Sequence, residues 1–415
     1  MADQTIIIGA GVIGAATALA LQNDGHDVTL IDRCAPCSGA SFGNAGAIIN
    51  GSCAPTAMPG ILLDALRLMA RPDSPISIRP AYFHKILPWL SRFILQSRRS
   101  AVNNNARNLH ALSQHAVASW QNLVERTELA SLFKSTGWLK VYESERSFAG
   151  TQMARDLLDT LGTPYDVLDT SQIHDLEPNL APIFTHGLYQ KDSLSISNPE
   201  RLVTGMVDLF TTRGGKYRQF AVDHISIETN EIKLIGHSEC LHTKKVVLAV
   251  GSWSRNLASQ LGDNVPLEAE RGYHLILPES TQTLLSRPVL NGEKSFVLSP
   301  METGLRMTAL SELGGLEIPA NYGNIRKLLP HAKRMLPAMD TQEESVWMGF
   351  RPSLPDSLPV LGFSGKSKNI IYAFGHQHLG ITLAAISARI VADLFANREP
   401  SVPIAPYRPN RFVAL

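Results

Sequence analysis

The segment Thr5 to Arg33 constrains this chain more than any other. Thr5-Ile6-Ile7-Ile8 is a short apolar run that breaks at once into Gly9-Ala10-Gly11-Val12-Ile13-Gly14. Small residues (Ala15, Ala16, Ala18, Ala20) follow in a helix-like stretch that closes near Asn23-Asp24-Gly25-His26. A second apolar run, Val28-Thr29-Leu30-Ile31, then ends on Asp32. Strand, glycine turn, helix, strand and acid within ~30 residues is the layout of a βαβ unit that binds a dinucleotide. Gly9 permits the turn, Gly11 keeps a Cβ out of the path of a pyrophosphate, and Gly14 lets the helix lie close to the sheet. The helix start at Val12 and Ile13 offers unpaired N–H groups to phosphate. Asp32 stands where a carboxylate takes both ribose hydroxyls and disfavours a 2′-phosphate, which argues against NADP. A GxGxxG alone is a weak sign, but here both strands, the helix and the acid accompany it. FAD and NAD remain open at this point.

At 415 residues the chain exceeds the ~250–300 at which one core stops growing, so two domains are expected. A hydrophobic share of 44% supports a sizeable core, and a net charge of +1 gives no bulk attraction to nucleic acid. Met-Ala-Asp-Gln lacks the basic and apolar regions of a signal peptide, so cytoplasmic residence is the default expectation. Four cysteines make no disulfide framework. Cys34-Ala35-Pro36-Cys37 reads as a redox pair, half a zinc site, or a loop that happens to hold two cysteines. The last is favoured, because the pair follows a strand instead of opening a helix and no second pair stands at metal spacing.

Ser38 to Ile48 (SGASFGNAGAI) is a run of small, uncharged residues suited to pack against something flat that needs main-chain contacts, a purpose a flavin supplies and a nicotinamide does not. With Ala54-Pro55 and Pro59-Gly60, the run resembles the small-subunit-type D-amino acid dehydrogenases of the FAD-dependent D-amino acid oxidase and glycine oxidase superfamily. The C-terminal seventy residues strengthen the likeness. Trp347 to Gly362 is similar to the family's WxGxRPxxPDxxPxxG. Gly375-His376-Gln377-His378-Leu379-Gly380-Ile381-Thr382 is similar to GHGxLGxT, with Gln377 where the family commonly has glycine.

The resemblance implies an α/β fold: a doubly wound, Rossmann-like, glutathione-reductase-type FAD-binding domain plus an antiparallel β-sheet substrate or cap domain. The division expected is 1–80, 150–262 and 346–415 for the cofactor, and 81–149 with 263–345 for the cap. It implies non-covalent FAD. Contacts come from Gly9, Gly11, Val12, Ile13, Gly14, Asp32 and Arg33; from Ser41, Asn44, Gly46 and Ala47 in the small-residue loop; from Val222, Ala249 and Gly251; and from Gly375, Leu379, Gly380, Ile381 and Thr382. It implies that Arg351 clamps the substrate α-carboxylate, in keeping with a planar, always-charged guanidinium. Tyr273, after Arg271-Gly272, falls at an active-site aromatic, although half-buried strand tyrosines are common. His376 is grouped with Arg351 and Tyr273 as a catalytic residue, through contact with the flavin and without support for a general-base role, and His378 is given no role beyond the helix start.

The reaction implied is dehydrogenation of a D-amino or D-imino acid, D-proline and its hydroxylated form among them, by hydride transfer from Cα to the flavin. The imine formed then hydrolyses. No second GxGxxG appears, so a separate NAD site is not expected. The resemblance to the dehydrogenases implies a quinone or the respiratory chain as electron acceptor, where oxidases of the same superfamily use oxygen. Phe83 to Leu95, a basic amphipathic stretch carrying Trp89, reads either as an anchor on the inner face of the cell membrane or as a core-packing helix. The rivals are an oxygen-using glycine or sarcosine type oxidase, a nicotinamide enzyme, and a non-catalytic flavin-binding subunit.

Overall fold

The computed structural model describes residues 5–69, 71 and 73–412; the opening Met-Ala-Asp-Gln and the side chains of Leu63, Asp64 and Leu66 lie outside it. Thr5–Ile8 sits inside a six-stranded sheet. The order is Lys216–Gln219, Val28–Asp32, Thr5–Ile8, Lys245–Leu248, Ile370–Phe374 and Val360–Phe363. All neighbours are parallel except the last pair. The chain leaves Thr5–Ile8 toward one side of the sheet and later returns on the other. The crevice beyond its C-terminal end is therefore a switch point where a ligand can enter.

The two-residue period of the strands sorts the core. Ile7, Leu30, Val247 and Ile371 face helices Val12–Asn23, Pro199–Thr212 and Gly380–Phe395. Ile6, Ile8, Ile31, Val246 and Leu248 face the other way, onto Phe220, Ile225, Ile232 and Leu234. That second face carries a three-stranded antiparallel meander, His224–Ile227, Ile232–Ile235 and Cys240–Thr243, with helix Ser254–Gln260. The doubly wound expectation is thus met with helices on one face and mostly β structure on the other.

The second layer is a nine-stranded sheet. Its main path runs Ser345–Ser353, Glu268–Ile276, Gly304–Leu313, Phe296–Met301, Val289–Asn291, Trp138–Tyr142, His186–Gln190 and Asp166–Leu168, and Ile76–Ile78 joins Gly304–Leu313 from the side. Most pairs are antiparallel. One face packs Leu139, Val141, Leu275, Phe296 and Met307 against Ile173, Ile325, Leu328 and Met335 from short helices. The other face roofs the crevice of the first sheet.

The sheets draw the domain boundaries differently from the sequence. Strands Ile76–Ile78, Asp166–Leu168, His186–Gln190 and Ser345–Ser353 belong to the roof, not to the cofactor layer. Two helices, Arg99–Ser113 and Ala116–Val124, bury Leu109, Leu112, Ala116 and Trp120 in the cofactor-side core. An amphipathic pattern says that a face is buried, not which sheet buries it.

Helix Phe83–Gln96 forms as expected, but its tryptophan points inward. Trp89 stacks on Phe93 at 5.0 Å and packs with Ile86 and Leu313. Phe83, Leu87, Ile94 and Leu95 are the exposed apolar side chains.

Candidate active site

One cavity of about 930 Å3 runs between the two sheets, from Asp32 and Val222 at one end to Arg351, Trp347 and Lys140 at the other. Nearly every site residue expected from the sequence lines it; the exceptions are Gly9, Gly14, Gly46 and Tyr273. The three glycines act from behind. A Cβ on Gly14 would stand 1.7 Å from the carbonyl oxygen of Gly9, and one on Gly9 would stand 2.4 Å from that of Ala249. With Gly9 at φ +111°, no other residue fits this turn without moving main chain. Gly46, at φ +70°, accepts the Ile196 N–H at 2.6 Å and shapes the next loop.

At the first end, the Asp32 carboxylate is fixed by the N–H groups of Ala10 (2.7 Å) and Cys34 (2.9 Å), one to each oxygen. Its remaining lone pairs can accept from two vicinal hydroxyls. Arg33 lies over the Trp253 ring at 3.7 Å, and both line the cavity with Phe220 and Val222. Helix Val12–Asn23 has no cap of its own; Ser41, from the small-residue loop, accepts the Val12 N–H at 2.9 Å. Ser41 therefore ties that loop to the helix start. Cys34 is exposed and Cys37 is buried, with burial pushing the Cys37 thiol up to about 12, far from a reactive thiolate.

The loop from Ser41 to Ala47 is held by groups that no sequence motif marks. Arg306, buried, donates to the carbonyls of Phe42 and Asn44, both at 2.8 Å, and Ser299 donates to Ala45. Asn44 accepts the Gly46 N–H at 2.8 Å, and Thr382 donates to Ala47 at 3.2 Å. Trp347 lines the cavity beside this loop, stacked on His274 at 5.3 Å and edge-on to Phe42 at 5.5 Å.

At the far end, Arg351 donates through Nη1 to Glu270 (3.1 Å) and to the carbonyl of Leu310 (2.8 Å). The guanidinium crosses directly over Gly272, where a Cβ would come within 2.3 Å of it. Burial alone would raise the Glu270 carboxyl. The imidazole of His378 at 2.9 Å, the Arg351 guanidinium and the Ser311 hydroxyl outweigh it and hold Glu270 well below the ordinary carboxylate range. Glu270 is therefore an anion that fixes Arg351 by one nitrogen. No protein partner is found among the described residues for Nε and Nη2, so that edge can take a bidentate carboxylate.

The chain matches the family model "DAO: FAD dependent oxidoreductase" over residues 4–394. It belongs to the DAO family. It is 30% identical over 415 residues to a D-amino-acid oxidase of Bradyrhizobium diazoefficiens, covering 98% of each chain. Two solved structures have the same fold. Glycine oxidase from Geobacillus kaustophilus superposes with a TM-score of 0.75 at 21% identity, covering 99% of both chains. L-proline dehydrogenase from P. horikoshii gives 0.76 at 18% identity, covering 100% of this chain and 98% of that one.

This DAO-family chain is an FAD-dependent oxidoreductase acting on amino acids, and its cavity fits the cofactor. A main-chain cradle that a Cβ would fill, a carboxylate set for a ribose and a continuous cleft toward Gly375 to Thr382 are the parts FAD requires. Asp32 and Arg33 would hold the adenosine end and the Gly11 to Ile13 turn the phosphates. The loop at 41–47 and the start of helix Gly380–Phe395 would hold the flavin.

Two expected catalytic residues are corrected. Tyr273 does not reach the cavity. Along Glu268–Ile276 the side chains alternate, so Glu270, Gly272 and His274 take the cavity face while Arg271, Tyr273 and Leu275 take the other. Tyr273 is buried, donates to Glu312 at 2.9 Å and accepts the Asn321 N–H at 3.3 Å. His376 is equally unsuited to catalysis. Its Nε2 is 2.9 Å from the Ser387 hydroxyl, and burial lowers its pKa to about 3, so it is a neutral packing group.

Gln377 has φ +49°, which explains why glycine suits this position, and its amide is turned to the Leu354 carbonyl at 2.8 Å. His378, which the motif leaves without a role, supports Glu270. The sequence does carry one signal for Glu270: an acid two residues from Gly272, and hence on the same strand face.

Proposed function

We propose that this protein dehydrogenates a D-amino or D-imino acid whose α-carboxylate is held by Arg351. The single observation that carries the reading is the free edge of that guanidinium inside the cavity, with its other side fixed by Glu270 and Leu310. When bound, FAD supplies the two-electron acceptor for the substrate Cα–H. The chain's own residues bind, orient and exclude water. Arg351 fixes one end of the substrate, and Trp347 and Leu310 form apolar wall beside it. His376 is given no proton to move, because it is buried with its Nε2 2.9 Å from the Ser387 hydroxyl. The D configuration is supported by the likeness to the Bradyrhizobium protein.

The electrons go on to a quinone or the respiratory chain in this reading. Support comes from helix Phe83–Gln96, which presents Phe83, Leu87, Ile94 and Leu95 outward among Lys85 and Arg92, as contact with an anionic membrane surface requires. The protein then works from the cytoplasm on that surface.

The deciding experiment is anaerobic flavin bleaching with a panel of D- and L-amino acids and cyclic imino acids. Bleaching by D compounds and regeneration by a soluble quinone analogue in preference to oxygen are expected. Bleaching by L compounds alone would overturn the stereochemical reading, and fast reoxidation by oxygen would overturn the acceptor.

A further inference from the structure

The cavity holds a second cation, on a roof strand several places from that of Arg351, that nothing in the reaction above uses. Lys140 lies on strand Trp138–Tyr142, where Leu139 and Val141 enter the roof's core and the alternate residues Trp138 and Lys140 turn to the cavity. Among the described residues no hydrogen bond or ion pair to Lys140 is found, and its one electrostatic neighbour is Cys53, a buried thiol pushed up to about 11 and hence uncharged. Burial lowers the pKa of the lysine itself, the expected result for an ammonium facing an enclosed space without an anion.

The neighbours of Lys140 also lack partners. The indole N–H of Trp138 and the hydroxyl of Thr308 are both buried without a hydrogen bond, and both residues line the same cavity. Such groups cost free energy unless a ligand satisfies them. Strand register connects them across the roof: Lys140 stands opposite Leu290, Leu290 opposite Val297, and Val297 opposite Thr308. All four line the cavity. The roof therefore presents one cation at Arg351, a second at Lys140, and between them the apolar Leu290 and Val297 with the unpaired Thr308 hydroxyl.

We propose that Lys140 is the specificity-determining residue for the substrate side chain, and that it selects D-amino acids carrying a second carboxylate. This rests on the reading above, with Arg351 taking the α-carboxylate. A dianionic substrate places an anion on each cation and its methylenes on Leu290 and Val297. A neutral side chain leaves the lysine and the indole N–H unpaired, and that asymmetry is the source of selectivity.

Binding is measured first, without turnover. The holoenzyme is titrated calorimetrically with succinate, glutarate and adipate, and with the monoamide of each. At least one diacid should bind about 30-fold more tightly than its monoamide, the scale of a desolvated charge pair. Lys140→Met should abolish that ratio while leaving monoamide affinity within about threefold, and Lys140→Arg should restore part of it. Equal binding of every diacid and its monoamide by the wild type would overturn the proposal, as would equal weakening of both by Lys140→Met.

Flavin bleaching by D-aspartate, D-glutamate and D-2-aminoadipate against D-asparagine and D-glutamine separates the two claims. If neutral D-amino acids bleach as well as acidic ones, the Lys140 assignment fails and the reaction stands. If the diacid preference holds in calorimetry and no D-amino acid bleaches the flavin, the reaction fails and the assignment stands.

Discussion

The two ends of the cavity are built from different material. At the Asp32 end most of the groups come from one unbroken segment. They are the Asp32 carboxylate, aimed by the N–H groups of Ala10 and Cys34, the helix start at Val12, tied down by Ser41, and the missing Cβ atoms of Gly9, Gly11 and Gly14. At the Arg351 end they are side chains from separate strands: Arg351, Glu270 and Lys140, with His378 from the approach to the last long helix. The Asp32 end is written contiguously, because one βαβ unit supplies both the turn that leaves room for the ligand and the carboxylate that its own main chain aims. Side-chain recognition is assembled across a sheet, where neighbours in space are far apart in sequence. The first end serves any substrate, and the second decides which one.

The largest expected effect tests the second end. Arg351→Leu should lower kcat/KM by about a thousandfold while FAD stays bound, since it removes a bidentate charged contact and leaves Glu270 buried with one partner fewer. Steady-state kinetics with the flavin spectrum checks this, and unchanged kcat/KM would remove the contrast between the ends. Asp32→Ala is the converse. It should weaken FAD by about a hundredfold with the roof intact, read as loss of yellow colour at unchanged circular dichroism. Full occupancy in that variant would mean that the first end does not depend on its carboxylate.

Glu270→Gln sharpens the comparison through pH. The folded-state pKa of Glu270 lies below its ordinary 4.5, so the folded chain binds fewer protons there than the unfolded one. Its share of stability is complete above that value and is lost as pH falls below it. The variant should raise KM by about tenfold through a loosened Arg351, and its stability should fall less steeply than the wild type's between about pH 5 and about pH 3. Urea unfolding at a series of pH values measures the slope. Parallel curves for the two proteins would place Glu270 outside the buttress.

The difference between the ends also accounts for what could be read from the sequence. The Thr5 to Asp32 unit, the small-residue loop and the Gly375 to Thr382 turn were legible because each is a local pattern with a local cause. Arg351 was legible through resemblance. Glu270 left only its two-residue offset from Gly272, and His378 and Arg306 left no trace, because their roles depend on pairings between strands and segments far apart in the chain: Glu270 opposite Arg351, and Arg306 beneath the carbonyls of Phe42 and Asn44. The boundaries of the two layers failed for the same reason. Short strands such as Ile76–Ile78 join a sheet through partners that no local window contains.

Tyr273 carries the smallest prediction and the cleanest one. Position in a motif put it in the active site, while strand alternation puts it on the reverse face, and the two views differ in what Tyr273→Phe does. If the hydroxyl touched substrate, its removal would raise KM and leave stability alone. Without its bonds to Glu312 and Asn321 in the roof's core, the variant should instead be about 1–2 kcal/mol less stable and keep kcat and KM within about twofold. Glu312 keeps Arg271 at 3.2 Å, so the defect stays local and the cavity face of the strand, Glu270 and Gly272, is undisturbed. Chemical denaturation and steady-state kinetics on the same preparation separate the outcomes. A raised KM at unchanged stability would bring Tyr273 back into the site and require the strand's alternation to be read the other way round.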